Sequence, residues 1–393
     1  MKGKTNLGQK INGTSDHVFI FLEIFNCEGG IQSYVKDVLQ AYLSLTPQRG
    51  RSRTAEVFLL RDERGCENSL NVHPLRFHYL KSQHPRLGRL RLALALLLCL
   101  LWRRPSHVFC GHIKLASLTR LLCERLGVPY TVLTYGKEVW YPLPKREHEA
   151  LLAAAGIWTI SRYSRDRICA VNNLTPQKVQ ILPCVVDGDV FTPGAKSPTL
   201  VAKYGVADAK VLMTVARLWP TDIYKGVDVT IRALPAIAKV FPHVKYLVIG
   251  RGDDQPRLVQ LAEDLGVGDR VVFAGFVPTC NLVEHYRLAD AYIMPSQEGF
   301  GIVYLEAMAC GKPVLAGDAD GSVDPLQNGR LGWQVPHRDP DAVAAACIEI
   351  LKGEDRRCDG RWLREESLAL FGRDALTQRL EELLDAVTST PWH

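Results

Sequence analysis

The sequence of 393 residues predicts an α/β protein with parallel sheets, in two or three domains. Three observations support this class. Short apolar runs such as His17–Ile24 and Ala289–Met294 alternate with segments of helical pattern, as parallel sheets require. Two strand-to-helix turns contain paired glycines: Gly29–Gly30, the first glycine turn, and Glu298–Gly301, the second glycine turn. A stretch rich in Pro, Gly, Lys and Ser, residues 191–208, separates the two halves.

The second glycine turn is the most informative stretch of the chain. The apolar run before it ends at Pro295, and the segment Ile302–Cys310 after it has a helical pattern that Gly311 terminates. The turn therefore lies at the carboxyl end of a strand, where open α/β sheets bind their ligands. Glycines let the backbone approach a ligand closely, and a helix start offers unpaired N–H groups to an anion.

Two carboxylates flank this turn. Glu298 enters from the loop, and Glu306, four residues after Ile302, leans back toward the start of its helix. Carboxylates in such a crevice are good acceptors for sugar or ribose hydroxyls. Acidic residues near a helix start also complement the helix dipole, but two of them at this spacing around Gly-Phe-Gly favour a ligand site.

Residues Glu298–Glu306 resemble the E-x7-E motif of retaining glycosyltransferases with the GT-B fold, in particular family 4. The resemblance continues through Ala307–Val314 and, more weakly, along most of the chain. It implies that Glu298 lies beside the transferred sugar and that Glu306 holds the ribose hydroxyls of a nucleotide. It also implies that sugar and diphosphate contact the backbone amides of Gly299, Phe300, Gly301 and Ile302.

The same resemblance implies two Rossmann-like domains that face a cleft, with a carboxyl-terminal helix that crosses back to the first domain. The expected boundaries are 1–190 for the acceptor domain, 191–208 for the linker, 209–370 for the donor domain and 371–393 for the crossover helix and tail. The amphipathic pattern of residues 362–384 predicts a helical tail.

Positive charge for a leaving diphosphate is expected from Arg217 and Lys225. Arg217 ends a buried strand, and Lys225 precedes Gly226 and a helix. Fixed cations stabilise a leaving group that gains negative charge, and in family 4 such a pair grips the diphosphate. The family spacing is usually shorter, so residues 219–224 are expected to loop out. Together with Glu298, these two residues are the expected catalytic groups.

Further donor contacts follow from the resemblance. A strand, a glycine pair and a helix form a phosphate-type pattern, although such a pair can also simply close a tight βα connection. The resemblance implies that Gly29 and Gly30 face the diphosphate across the cleft. It also implies that the backbone around Val277 recognises the base.

The sugar and acceptor side is less defined. Family 4 proteins often have His-Gly-x-Glu/Asp after the strand that ends here at Tyr135, and that histidine faces the sugar. Because Tyr135 occupies the position, Tyr135, Lys137 and His112 are all candidates for this side, with Glu138 beside them. A histidine such as His112 is more often an ordinary loop residue with its own hydrogen-bond partners.

No cofactor and no metal are expected. Asp318-Ala-Asp320 resembles a metal-binding D-x-D, but the GT-B fold stabilises the diphosphate with Arg, Lys and helix ends, so an acidic turn is the better interpretation. The eleven cysteines are odd in number and scattered. They indicate a reducing cytoplasm rather than a disulfide framework or a zinc site.

Charge is unevenly distributed. Residues 1–190 contain 26 Lys and Arg against 15 Asp and Glu, a balance of +11, and the remainder contains 22 against 27, a balance of −5. A basic first half suggests an anionic membrane or a lipid-phosphate acceptor, although basic residues on solvated faces would give the same count. No nucleic-acid partner is expected. The polar segment Met1–Asp16 does not resemble a signal peptide.

The segment His84–Trp102 has two interpretations. Arg86, Arg89 and Arg91 precede an apolar run, Leu92–Trp102, which is too short to span a bilayer. Because the run is apolar on every side, it is expected to be buried as a core helix. The arginines at its start would equally suit a helix lying on a membrane.

These features predict a retaining glycosyltransferase that moves a hexose from a nucleotide sugar, UDP first and GDP second, to a glycan or lipid-linked acceptor. A cytoplasmic location is expected, with a peripheral position at the inner face of the membrane as an option. The alternatives are a GT-B sugar phosphorylase and a non-catalytic nucleotide-sugar binding module.

Overall fold

Apolar runs form the strands of two parallel sheets. A computed structural model of the chain describes residues 16–27, 29–45 and 53–389. Seven strands of that part form the first sheet, in the order β3-β2-β1-β4-β5-β6-β7. Their bounds are β1 (His17–Phe21), β2 (Ala55–Leu59), β3 (Leu75–Tyr79), β4 (His107–Cys110), β5 (Tyr130–Leu133), β6 (Gly156–Thr159) and β7 (Val179–Ile181). The polar segment before residue 16 and the end of the tail, 390–393, lie outside the described residues.

Helices connect these strands and cover both faces of the sheet. Their bounds are α1 (Gly30–Ser44), α2 (Pro85–Arg103), α3 (Ile113–Leu126), α4 (Lys145–Ala153) and α5 (Arg162–Asn172). Helix α1 shares a core with Phe19 and Phe21 of β1. Helices α2 and α3 pack with Val18 and Ile20, whose side chains point to the opposite face of the same strand.

The second sheet has six described strands in the order β10-β9-β8-β11-β12-β13. They are β8 (Lys210–Val215), β9 (Val244–Ile249), β10 (Val271–Gly275), β11 (Ala291–Met294), β12 (Val314–Gly317) and β13 (Trp333–Val335). The accompanying helices are α6 (Pro198–Tyr204), α7 (Val227–Val240), α8 (Gln255–Asp264), α9 (Thr279–Leu288), α10 (Ile302–Ala309) and α11 (Pro340–Lys352). Helix α6 lies within the stretch predicted as a linker.

The last two helices return toward the first sheet. They are α12 (Gly360–Phe371) and α13 (Arg373–Ser389), so the predicted helical tail is two helices that meet at Gly372. Helix α13 packs on α1, and Arg379 donates a hydrogen bond to the carbonyl of Ile181 in β7 at 3.0 Å. Helix α13 thus packs against the first domain, as expected for a crossover helix.

Helix α2 differs from its prediction. Leu92, Leu96 and Leu100 are buried in the core. On the opposite face, Leu94 is 56% exposed and Trp102 is 80% exposed. The expectation that the apolar run is buried on every side is therefore wrong for one face, because a single sheet surface can cover only half of a helix. Within the described chain, no helix combines the length and apolar character needed to cross a bilayer.

Candidate active site

The second glycine turn lies between the two sheet domains and contacts the first. A Cβ added at Gly299 would lie 2.8 Å from the carbonyl oxygen of Tyr135, which follows β5 of the first sheet. Gly301 has a φ of 93°, and a Cβ there would come within 2.3 Å of the Tyr304 ring. Glycine at position 299 therefore permits the close approach to the first domain, and glycine at position 301 permits the left-handed turn against Tyr304.

Lys225 and Glu298 form an ion pair at this turn. Each side chain is only 17% exposed. Lys225 ends a 3-10 segment, Pro220–Lys225, and Gly226 turns the chain into α7 with a φ of 76°. The inserted residues 219–224, expected to loop out, thus form short helical turns that deliver the ammonium group to the motif carboxylate.

The Tyr224 ring is the centre of a cluster of cations. The Lys137 ammonium, from the first domain, lies 3.1 Å from the ring centroid, and that of Lys225 lies 5.4 Å from it. Burial raises the pKa of the Tyr224 hydroxyl, and the nearby Arg217 opposes that shift. Arg217 also forms an ion pair with Asp222 at 3.0 Å, while its side chain remains 67% exposed. Three predicted residues from two domains therefore converge, and they do so around a residue that was not predicted.

Electrostatics in this cluster are strongly coupled. Partial burial lowers the pKa of Lys137; Glu298 opposes this shift and the neighbouring Lys225 adds to it. Burial also acts to lower the pKa of Lys225, but the Glu298 carboxylate outweighs it, so that pKa is raised. Lys225 therefore holds its proton more tightly than a free lysine does, and both ammonium groups lie where water screens them poorly. Such a site suits a polyanionic ligand.

Glu306 lies deeper, on α10. The Tyr286 hydroxyl donates a hydrogen bond of 2.6 Å to its carboxylate. Burial raises the pKa of Glu306 from 4.5 to about 7, although the Tyr286 hydrogen bond opposes the shift. Both Glu306 and Glu298 lie close enough to Tyr292 to raise the pKa of its buried hydroxyl, which burial also raises. The two motif carboxylates thus belong to one neighbourhood.

Asp320 supports the second glycine turn through hydrogen bonds to its carboxylate. Its carboxylate accepts hydrogen bonds from the backbone N–H of Glu298 and from Ser322. The residue is 2% exposed, and burial raises its pKa to about 7. Sequence reasoning treated Asp320 only as part of an acidic turn; its position two residues after an exposed Asp318 gave no sign of this contact.

The start of α10 lies within the same turn. Gly301 has no side chain to cap the helix, so first-turn N–H groups remain available to an anion. The Phe300 side chain points into the core and packs edge-on against Phe371 at 5.7 Å. At Phe300 and Ile302, backbone amides rather than polar side chains are therefore the groups that can bind a ligand.

The first glycine turn is more open. Gly29 and Gly30 are exposed, and a Cβ at Gly30 would meet nothing within 4 Å. Asp62 fixes the backbone between β1 and this turn. Its carboxylate accepts hydrogen bonds from the N–H groups of Ile24, Phe25 and Asn26. Asp62 is fully buried. It lies in a polar loop of the sequence and was not singled out.

The remaining acceptor-side candidates have structural partners. The Tyr135 side chain is buried and its hydroxyl donates to the carbonyl of Gly111 at 2.7 Å, away from the cation cluster. Glu138 accepts from the N–H of Gly136 at 3.1 Å. His112 caps α3 by accepting from the N–H of Lys114, and burial lowers its pKa to about 4. Of these four candidates, only Lys137 joins the cluster.

Val277 lies after β10 in a half-exposed loop. Its neighbour Phe276 is 54% exposed, and the Arg251 guanidinium lies 5.0 Å from the Phe276 ring. A flat apolar and cationic surface of this kind suits a nucleobase.

Across the described residues, no group of three or more His, Cys, Asp or Glu side chains is arranged to hold a metal ion.

Comparisons with known proteins agree with this geometry. Residues 209–353 match the family model of glycosyl transferases group 1. A GDP-mannose-dependent alpha-(1-6)-phosphatidylinositol monomannoside mannosyltransferase of Mycolicibacterium smegmatis is 33% identical over 293 residues, 70% of this chain and 75% of that protein. A D-inositol 3-phosphate glycosyltransferase of Mycobacteroides abscessus is 38% identical over 193 residues, 47% of this chain and 42% of that protein.

Solved structures extend the likeness over nearly the whole chain. A glycosyltransferase from Rickettsia africae has a TM-score of 0.76 at 15% identity and covers 95% of this chain and 99% of its own. Anabaena Alr3699/HepE in complex with UDP-glucose has a TM-score of 0.71 at 21% identity, with 94% and 99% covered. At these identities the structures show the fold alone, and they confirm the predicted GT-B architecture. The M. smegmatis relative and the family match establish that this chain belongs to the group 1 glycosyltransferases.

Proposed function

We propose that this protein transfers a hexose from a nucleotide sugar to a hydroxyl of a glycan or lipid-linked acceptor, with retention of the anomeric configuration. The observation that carries the proposal is the cluster of Lys225, Arg217 and Lys137 around Tyr224, next to the second glycine turn. Fixed cations at that place match the negative charge of a diphosphate. Retention rests on the resemblance of Glu298–Glu306 to the E-x7-E motif.

The chemistry breaks the bond between the anomeric carbon and a diphosphate oxygen, and the electron pair leaves with the diphosphate. The acceptor oxygen forms the new bond on the same face of the sugar, and its proton passes to a diphosphate oxygen. Lys225 exchanges its Glu298 partner for the diphosphate in this scheme. The Glu298 carboxylate is then free to accept a hydroxyl of the sugar.

The donor is proposed as GDP-mannose first and a UDP-hexose second. The M. smegmatis relative and a Mycobacterium tuberculosis protein at 32% identity are both named as GDP-mannose-dependent. Their names, and that of the D-inositol 3-phosphate glycosyltransferase, favour an acceptor with a phosphorylated inositol or lipid. A cytoplasmic reaction, with no metal or other cofactor, remains part of the proposal.

A nucleotide panel tests this proposal. GDP-mannose, UDP-glucose and UDP-galactose are added to the protein with inositol phosphate or phosphatidylinositol, and thermal shift, nucleoside diphosphate release and product NMR are recorded. The expected result is a thermal shift with one nucleotide family, release that needs acceptor, unchanged release in EDTA, and an anomeric configuration equal to that of the donor.

Three other outcomes would overturn it. Release of a sugar 1-phosphate that depends on inorganic phosphate would indicate a phosphorylase. A thermal shift with no release under any acceptor would indicate a binding module. Loss of release in EDTA that Mn²⁺ restores would contradict a metal-free site.

A further inference from the structure

We infer that the outer face of α2 docks the protein on a lipid bilayer that contains anionic headgroups. Successive residues of an α-helix are rotated by about 100°, so residues spaced three or four apart share a face. The leucines of α2 therefore divide into two opposite sets. One set anchors the helix to the protein, and the other faces outward.

The inner set holds the helix in place. Leu92, Leu96 and Leu100 are at most 2% exposed and belong to the core that α2 shares with the first sheet. Gly88 is also buried, and a Cβ there would lie 3.6 Å from the Leu60 side chain. This face packs on the core of the first domain, and the outer leucines lie on the opposite side of the helix.

The outer set, which we call the docking face, is a continuous apolar stripe. Of the seventeen large apolar residues that are exposed in the described chain, six lie on this one helix. Among these six, the most exposed are Trp102 at 80% and Leu90 at 64%. Exposed apolar side chains are ordinary when scattered, but a contiguous set marks an interaction surface. The members of the docking face are Leu87, Leu90, Leu94, Leu98, Leu101 and Trp102.

Charge identifies the occupant. Residues 81–104 contain six Lys and Arg and no Asp or Glu. Two of the six have acidic partners: Lys81 pairs with Glu63, and Arg103 lies 3.8 Å from Glu56. Arg86, Arg89 and Arg91 form no ion pair with any described residue, and all three are exposed. Their positive charge remains available to an external anion.

A bilayer satisfies both features together. Leucines embed in the acyl boundary, arginines reach phosphate headgroups, and tryptophan prefers the interface between them. Helix α2 has nineteen residues, so it is about 28 Å long and can lie flat on a membrane. Arg91 is exposed on the same face, four residues after Leu87 and three before Leu94, so the docking face presents positive charge beside its leucines.

The direction of α2 relates the docking face to the cleft. Strand β3 ends at Tyr79 and α2 begins at Pro85, so the arginine end lies by the carboxyl edge of the first sheet. The Tyr135–Gly136 turn that contacts Gly299 follows β5 at the same edge. Docking would place headgroups on the edge that faces the cleft. That this serves a lipid-linked acceptor rests on the proposed function, whereas docking itself does not.

Vesicle flotation of the full chain tests the docking face. Vesicles of phosphatidylcholine with about 30% phosphatidylglycerol are expected to carry the wild-type protein, and pure phosphatidylcholine much less. Replacing Arg86, Arg89 and Arg91 by Ala should weaken binding roughly fivefold per residue, about a hundredfold in total. Leu90→Gln combined with Leu94→Gln should also weaken it at least about tenfold. The matched controls, Arg167→Ala and Leu152→Gln, replace exposed residues on other helices and should bind as wild type does.

A fluorescence measurement on the wild-type protein tests docking without a variant that could fail to fold. Trp102 emission should shift to shorter wavelength on anionic vesicles, and Trp102→Phe should remove that shift while the protein still floats. Wild-type protein that stays unbound, or arginine and leucine variants that float equally well, would overturn the proposal. A dimer in sedimentation that Leu90→Gln with Leu94→Gln dissociates, with no vesicle binding, would instead assign the face to a second copy. Donor-dependent activity is measured separately, so docking and the proposed function fail independently.

Discussion

The first and second glycine turns share a sequence pattern but differ in what surrounds them. Gly30 is exposed with open space where a Cβ would be, whereas Gly299 touches the Tyr135 carbonyl across the domain boundary. The first turn is supported by one carboxylate, Asp62, that binds three N–H groups before it. The second is supported by Asp320 and by the ion pair of its own Glu298.

This difference separates two reasons for a glycine. At Gly299 and Gly301 the fold itself demands the residue, through a close approach and a positive φ. These two glycines would be needed even if no ligand bound there. At Gly30 no contact with a described residue requires a glycine. Diphosphate binding at the first turn stays a prediction from the resemblance, whereas the cluster of cations lies beside the second turn.

The largest effect is expected from Lys225→Ala. This variant removes the partly buried cation that pairs with Glu298 and leaves that carboxylate without its partner. Loss of one fixed donor to a charged transition state typically costs about 3 kcal/mol, or more than a hundredfold in kcat. The measurement is nucleoside diphosphate release with the donor that the nucleotide panel identifies.

The control for this variant is Lys239→Ala, at the exposed far end of α7. It should retain wild-type turnover. If Lys225→Ala turned over within about twofold of wild type, then Lys225 would not act on the leaving group.

The next effect is expected from Gly299→Ala. A new Cβ 2.8 Å from the Tyr135 carbonyl must push the second glycine turn away from the first domain. Overpacking of this kind costs about 1–3 kcal/mol in the free energy of unfolding. Denaturant unfolding and kcat should both fall.

Gly30→Ala is the matched variant in the first turn. Because nothing lies within 4 Å of the added Cβ, the free energy of unfolding should change by less than about 0.5 kcal/mol. Equal destabilisation by the two alanines would remove the structural distinction between the turns.

Much of this arrangement was predictable from local pattern. Continuous apolar runs predicted buried parallel strands, and the carboxyl ends of such strands share one edge. That rule placed Glu298 and the second glycine turn at the cleft. Local spacing could not predict the pairing of Lys225 with Glu298, because the two residues are 73 positions apart.

The missed features depend on tertiary contacts. Asp62 and Asp320 appear in the sequence as ordinary loop acids, and only the folded chain shows which backbone N–H groups they bind. Tyr224 lay in an insertion whose path no local rule predicts. The pattern of α2 could not show which leucine face the sheet would cover. Gly372 divides the predicted tail because its N–H bonds back to Leu368 at 2.8 Å while its φ and ψ leave the helical region.

A smaller effect is expected from Asp62→Asn in the first turn. The carboxylate accepts three N–H groups, and an amide keeps one acceptor oxygen while turning an NH₂ group toward the remaining donors. An unsatisfied buried group costs about 1–2 kcal/mol in the free energy of unfolding. Asp208→Asn, at an exposed position, is the control. Equal stability of both variants would show that the first turn does not depend on Asp62.

The smallest effect concerns Glu306 and pH. Its folded pKa, raised by burial to about 7, lies above its ordinary value of 4.5, so the folded chain binds this proton more tightly than the unfolded chain does. The contribution of Glu306 to the free energy of unfolding is therefore greatest below pH 4.5 and is lost as pH rises through about 7. Glu306→Gln keeps a neutral acceptor for Tyr286 and removes the titration. Between about pH 6 and about pH 7, the wild type should lose on the order of 1 kcal/mol more than this variant.

Urea unfolding at several pH values measures that difference. The exposed Glu354→Gln should follow the wild-type curve, because its carboxylate lies in solvent in the folded and unfolded chain alike. Parallel curves for wild type and Glu306→Gln would show that the second turn's deeper carboxylate is already fully charged near neutral pH. Nucleotide binding to the wild type should strengthen as pH rises through about 7, since the charged carboxylate is the better acceptor for ribose hydroxyls. The same dependence in Glu306→Gln would assign it to another group, and the ribose role of Glu306 would be lost with it.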